Sequence, residues 1–195
     1  MTKLVPITCP GCKNPVYSKD IDSVIICPRC GTLQARDGTV SIVEYEAGAF
    51  AKAGDGEKVY MPFWRLGATF NIKQEVVKGG LLGKLAGTAG KAGEGGIDMM
   101  LPAFDLEPLK FKELAKGLTL QSPQYTAAPL EPNVRREPCK VTIDMTDEMA
   151  DFLFVTIEAE KPGTLQNLVY DLKVASKKLV YLPYYKKGND LVPGY

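Results

Sequence analysis

The best helical pattern in this chain lies late. Met149, Phe152, Leu153, Val155, Thr156 and Ile157 give one apolar side at a period near 3.6. Thr146 stands where a cap is needed, Asp147 and Glu148 sit at the positive end, and Pro162-Gly163 stops the run. These signals predict a principal helix over 146–161. A shorter helix is predicted from Leu106 to Lys116, ended by Gly117. Alternation marks strands instead. Thr39 to Tyr45 alternates, and so does Asn167 to Val174, which a turn at Ala175 to Lys178 would return into Leu179–Leu182 as a terminal hairpin. Val16-Tyr17 and Val24-Ile25-Ile26 read as short strands around a polar turn from Ser18 to Ser23. Residues 46–58 are Ala/Gly-rich and polar, a linker by composition. Four prolines within 122–138 predict an irregular surface segment.

One short pattern occurs twice. Val59-Tyr60-Met61-Pro62-Phe63-Trp64-Arg65-Leu66-Gly67 matches Val180-Tyr181-Leu182-Pro183-Tyr184-Tyr185-Lys186-Lys187-Gly188, and Met100-Leu101-Pro102-Ala103-Phe104 is a partial third copy. Proline cannot donate to a sheet ladder, so each copy is expected on an edge strand or at a bulge. The echo means two related β-rich halves, one sheet with pseudo-symmetric edges, or mere convergence of strand composition. Trp64, Arg65, Tyr184 and Tyr185 fall in the two full copies. An aromatic and arginine cluster of this kind is a candidate protein-binding surface, and equally a core edge.

Composition narrows the function. The chain has 195 residues, a formal net charge of +1, 45% hydrophobic and 24% charged residues. That suits one domain, or one domain with a small module. Near-neutral charge offers no footprint for nucleic acid or an anionic membrane. No run of about 18 apolar residues is present to span a bilayer. The stretch before the first cysteine is too short for a signal peptide, so a cytoplasmic protein is expected. There is no histidine, which removes the commonest general base and the mixed Cys/His metal sites. Asp98, Asp105, Glu107, Asp144, Asp147, Glu148, Asp151, Glu158 and Glu160 are scattered, and the group at 144–151 reads as a solvated helix start. No catalytic set stands out, and an enzyme is not expected.

The chemistry sits in the cysteines. Cys9-Pro10-Gly11-Cys12 and Cys27-Pro28-Arg29-Cys30-Gly31 are spaced C-x2-C-x14-C-x2-C. Two residues between cysteines allow a tight knuckle that turns both sulfurs to one point. Two knuckles make a tetrahedral four-sulfur cage, which suits Zn²⁺. The rival readings are two disulfides, against the paired spacing and a reducing compartment, and a rubredoxin-like iron site, for which the loop is short and the aromatic packing missing. Residues 1–45 hold five Lys/Arg and four Asp/Glu. Loading Zn²⁺ on four thiolates takes that formal +1 to −1, a poor match to a phosphate backbone. Cys139 stands alone and reads as a small buried residue, or else a reactive thiol.

The expected architecture is therefore α+β: a zinc ribbon over 1–45, a linker over 46–58, and a domain over 59–195 with a mainly antiparallel sheet and one main helix. The glycine-rich segment 78–96 is expected to be a flexible loop. Its alternative is a small helix with Leu81, Leu82, Leu85 and Ala89 on one face, suited to a partner or a membrane surface. It has no phosphate-loop spacing.

The cysteine stretch resembles the zinc ribbons of transcription factors and of many bacterial proteins, over residues 5–45. More loosely, residues 5–190 resemble an uncharacterised group of bacterial proteins that begin with a zinc ribbon. That likeness is carried by Pro62-Phe63-Trp64-Arg65, Leu101-Pro102-Ala103-Phe104 and Tyr181-Leu182-Pro183-Tyr184. It implies no established activity. The expectation from sequence is a non-catalytic zinc protein that docks as a subunit onto a larger complex. The alternatives are a nucleic-acid-binding regulator or an iron electron carrier.

Overall fold

The computed structural model describes residues 5–18, 22–36, 40–78, 93–188 and 190–195. The fold is α+β. In chain order it has strands β1 (Val5–Thr8), β2 (Pro15–Ser18), β3 (Val24–Ile26), β4 (Leu33–Arg36), β5 (Val40–Ile42), β6 (Tyr45–Ala47), β7 (Glu57–Lys78) and β8 (Gly93–Pro102). Helix α1 (Pro108–Leu120), strand β9 (Arg135–Arg136), helix α2 (Thr146–Ala159), and strands β10 (Thr164–Lys187) and β11 (Asp190–Pro193) follow. A six-stranded sheet runs β11-β10-β7-β8, with β6 added beside β10 and β9 beside β7. The N-terminal cysteine segment, expected to be a ribbon and called so below, is a pair, β1-β2, and a triplet, β3-β4-β5. Val16-Tyr17 and Val24–Ile26 are strands as expected, but they belong to different sheets rather than to one hairpin.

The sheet is built on two long strands, β7 and β10, paired antiparallel from Glu57↔Lys186 to Lys78↔Thr164. The expected turn at Ala175 to Lys178 is not there, and β10 passes straight through it. Nothing in Ala-Ser-Lys-Lys supplies a left-handed backbone or a preset φ. Ala175 is instead the extra residue of a bulge between Val174↔Ala68 and Ser176↔Gly67. The lysines are held in place: Lys177 Nζ lies 2.8 Å from Asp147, and Lys178 Nζ lies 3.0 Å from Glu46.

The echoed motifs meet at the middle of this pair. Met61 faces Leu182, with Tyr60↔Pro183 and Pro62↔Tyr181 on either side. A pseudo-twofold axis through Met61↔Leu182 therefore exchanges the copies, and it exchanges their neighbours too. β7 has β9 parallel to it before Pro62 and β8 antiparallel after it. β10 has β6 parallel before Pro183 and β11 antiparallel after it. The bonds match: Ala103 N–H donates to Pro62 O and Gly194 N–H to Pro183 O, each at 2.9 Å. So do the rings: Phe63–Phe104 and Tyr184–Tyr195 are edge-to-face at 5.6 and 5.8 Å, and Phe63 stacks on Tyr184 between them. Of the open readings of the echo, one pseudo-symmetric sheet is the one observed.

This symmetry overturns the edge-strand expectation, because Pro62 and Pro183 sit in central strands. Each proline carbonyl points outward, so each ring nitrogen does too, into the gap where one outer strand gives way to the next. A missing N–H costs nothing there.

The remaining differences have local causes. Residues 46–58 are not a free linker. Tyr45–Ala47 is a sheet strand, and Ala49, Ala51 and Lys52 N–H groups donate to Thr126 and Gly194 carbonyls. The predicted strand 39–45 is split between β5 and β6. Helix α1 runs past Gly117 to Leu120, because Ala115 and Thr119 are buried and Thr119 Oγ1 accepts the outward Met100 N–H at 3.0 Å. Thr146 does not cap α2; its hydroxyl donates to Ile143 O, closing a turn of 3-10 helix at Ile143–Met145. Lys78 and Gly93–Gly96, the ends of the expected loop 78–96, are strand. Residues 79–92, with the expected interaction helix, lie outside the described residues. No helix among the described residues is long and apolar enough to cross a membrane.

Around the echoed motifs both faces of the sheet are covered. One carries Met61, Phe63, Val180, Leu182 and Tyr184 against Leu114 and Leu118 of α1. The other carries Tyr60, Trp64, Leu66, Leu179 and Tyr181. Against it pack Ala150, Leu153, Phe154 and Ile157 of α2, and also Val24, Leu33, Ala35 and Val43 of the ribbon. The ribbon triplet thus shares the main core.

Candidate metal centre

The two knuckles are built alike. In the first, Cys9 N–H donates to Asn14 O and Lys13 N–H to Cys9 O. In the second, Cys27 N–H donates to Thr32 O and Gly31 N–H to Cys27 O. All four bonds are 2.9 Å. Closing each loop needs a left-handed residue just after its second cysteine. Gly31 takes it freely at φ 72°, whereas Lys13 adopts it at φ 62° with a side chain present, a strain of roughly 1–2 kcal/mol.

The four Sγ atoms of Cys9, Cys12, Cys27 and Cys30 lie within 4.8 Å of one another. Cys9–Cys30 and Cys12–Cys27 are the close pairs, at 3.6 Å. That is far from the ~2.05 Å of a disulfide and close to an edge of a four-sulfur cage, about 3.8 Å for Zn–S bonds of ~2.3 Å. All five cysteines are free thiols. Cys9 and Cys27 are buried on the ribbon core with Val16 and Ile25, while Cys30 is exposed.

Second-row contacts repeat with the same symmetry. Two residues beyond the outer cysteine of each knuckle, a polar side chain meets its sulfur: Asn14 Nδ2 donates to Cys12 Sγ at 3.4 Å, and Thr32 Oγ1 lies 3.1 Å from Cys30 Sγ. Arg29 Nη1 donates to Asn14 Oδ1 at 2.6 Å, which joins one knuckle to the other. These contacts favour thiolate. The Asn14 backbone N–H, followed by its side chain, holds Cys12 below the ordinary thiol range. The Thr32 hydroxyl, followed by its N–H, brings Cys30 down to about 6. Such donors lower the proton affinity of these two sulfurs, whereas Cys27 is pushed up to about 11, its backbone hydrogen bonds outweighed by burial and by its contacts with the Cys12 and Cys30 sulfurs. Sequence reading named the four cysteines but not Asn14, Thr32 or Arg29; the repeated Cys-x-Asn and Cys-x-Thr was the available signal.

Beside the second knuckle is a cleft of about 1010 Å³. It is lined by Cys27, Pro28 and Gly31 of that knuckle, by Tyr45 to Ala47, by Ala127 to Pro132 and by Arg136. Arg136 is fixed over the Tyr181 ring and donates to its hydroxyl at 3.2 Å.

The expected aromatic surface is not displayed. Trp64 is 0% exposed, Tyr184 4% and Tyr185 7%. Trp64 Nε1 donates to Val141 O at 2.9 Å under the ribbon, and Tyr185 packs on Phe50. The echoed aromatics are therefore core residues of the pseudo-symmetric sheet. Arg65 alone of the four is partly exposed, tied to Asp98 at 2.8 Å. Cys139 is buried, burial pushes its thiol up to about 12, and its backbone N–H is held by Asp22. It is a packing residue between ribbon and sheet. The acidic start of α2 also has structural employment: Asp147 pairs with Lys177, and Asp151 accepts from the Tyr170 hydroxyl at 2.5 Å.

These features define the chain as an α+β protein headed by a four-cysteine cluster able to hold a metal ion. Comparison with protein-family models, with curated proteins and with solved structures returns no match.

Proposed function

We propose that this chain is a non-catalytic zinc-ribbon protein that serves as an interaction subunit of a larger complex in a reducing compartment. The observation that carries the metal half is the cage of four sulfurs within 4.8 Å. Four thiolates fill a tetrahedral shell and leave no position for substrate, which is the mark of a structural rather than a catalytic site. Soft thiolates select zinc among the common divalent ions. The Asn14 and Thr32 contacts offset the negative charge of the loaded site. The likeness of Cys9 to Gly31 to transcription-factor ribbons agrees with this, and the near-neutral charge weighs against nucleic acid as the partner.

The interaction half rests on the cleft beside the second knuckle. Its walls are apolar at Pro28, Pro129, Leu130 and Pro132 and charged at Glu131 and Arg136, a composition suited to a peptide segment of a protein partner. Elemental analysis of the purified protein is expected to find one zinc per chain, lost on substitution of any of the four cysteines. A partner recovered in stoichiometric amount from the native host is expected to be lost on Leu130→Asp with zinc content unchanged. Iron, or no metal in protein kept reduced, contradicts the first half. Recovery of the partner undiminished by Leu130→Asp contradicts the second.

A further inference from the structure

We propose that two copies of the chain join edge to edge through β10, antiparallel and centred on Leu172, so that one sheet runs through both. The proposal is independent of the metal reading, since this part of β10 carries no ligand.

The outer side of β10 is paired to β6 only at Leu179–Tyr181 and to β11 only at Tyr184–Lys187. Among the described residues, no strand covers it from Thr164 to Lys178. Within that stretch β10 is free of bulges from Asn167 to Val174, since the irregularity at Val169/Tyr170 places its extra residue, Lys73, on β7. The even-numbered residues of β7 turn their N–H and C=O groups toward β8, as Pro62 O shows by accepting from Ala103. Their β10 partners must turn away. Val174 faces Ala68, Leu172 faces Phe70 and Tyr170 faces Ile72, so these three residues direct N–H and C=O outward. Unpaired groups in such a row are a template for another strand.

The charges select the partner and the register. Asp171 and Lys173 are exposed on the polar face of the strand. With Leu172 on a twofold axis, Leu172 meets Leu172 and Tyr170 meets Val174 as hydrogen-bonded pairs. Asp171 then lies opposite Lys173 of the second copy, twice over. Moving the axis one residue either way sets Asp171 against Asp171 or Lys173 against Lys173, which repel. Opposite charges one residue to each side of the axis are what a self-pairing strand requires. Asp171 already has an ion-pair partner on β7, so in the dimer its carboxylate bridges two lysines. Lys73 lies 2.6 Å from Asp171 on β7, and Asp151 of α2 is taken up by Tyr170. Val169, exposed on the same face of the strand as Asp171 and Lys173, adds apolar surface beside them.

The test is sedimentation equilibrium on the full chain as purified, with two surface variants. Wild type is expected to form a dimer. Lys173→Glu places acid against acid and Asp171→Lys base against base, so each is expected to dimerise about tenfold more weakly. Mixed one to one, the two variants restore Asp–Lys and Glu–Lys contacts, and a heterodimer of wild-type strength is expected. Unchanged Trp64 emission will show that both variants keep the fold. A monomeric wild type, single variants that associate like wild type, or a mixture that gains nothing over its components would each overturn the proposal.

Discussion

Replacing Trp64 with alanine is expected to lower stability by about 3–5 kcal/mol, the cost of emptying a fully buried indole site. Trp64 lies on β7, faces Leu179 and Leu101 on its two flanks, and is wholly buried between the sheet and the segment ending at Val141. The indole N–H bond to Val141 O adds little to the loss, because that carbonyl keeps a donor in Cys139 Sγ at 3.3 Å. Packing dominates, so Trp64→Phe, which keeps most of the ring volume, is expected to cost clearly less. A whole-protein stability of about 5–15 kcal/mol leaves the alanine variant near its limit. Denaturant midpoints measure both variants. Equal, small effects would place the indole at a surface rather than in the core.

Replacing Cys27 with serine is expected to destabilise the sheet as well as the ribbon. Cys27 is buried, follows β3 directly, and its backbone closes the second knuckle. With zinc in the cage as proposed, losing a ligand would release it and the strand order around it. Val24 of β3 and Leu33 of β4 belong to the core that holds Trp64, and Ser23 donates to Cys139 O at 2.9 Å. The thermal midpoint is expected to fall by about 10 °C or more, since 1 kcal/mol is worth about 2–4 °C at this size. A separate early melt of the ribbon, with the main transition unmoved, would mean two independent units.

Local signals carried much of this in the sequence. The C-x2-C pairs identified the four thiols that meet, because a knuckle is closed by residues a few positions apart. The helix over 146–161 and the strands at 24–26 and 167–174 were legible from their own periodicity. Pairing was not. That β7 and β10 lie together along their whole length is a contact across about a hundred residues, and only the repeated Val-Tyr-apolar-Pro-aromatic pattern hinted at it. The prolines misled for a clear reason. Edge placement is one way to spare a donor, and the gap between two successive outer strands is another, visible only once those strands are placed. Burial of Trp64 and Tyr184 was undecidable locally, since an aromatic beside a basic residue reads the same at a core edge and at an interface. The linker composition of 46–58 hides from the sequence that the cysteine segment joins the main core. Its Tyr45–Ala47 is a strand, and Val24 and Leu33 face the main core.

The central claim is a zinc ribbon that is one body with the sheet. It is tested most directly by stripping the metal with a strong chelator while following metal release and tryptophan emission together. Trp64 is the only tryptophan and lies under the ribbon triplet, so its emission reports on their shared core. The account predicts release of one zinc per chain, with a red shift of Trp64 emission that follows the release in step and reverses when zinc is returned. Release of iron or of no metal, or loss of zinc with the emission unmoved, would contradict it.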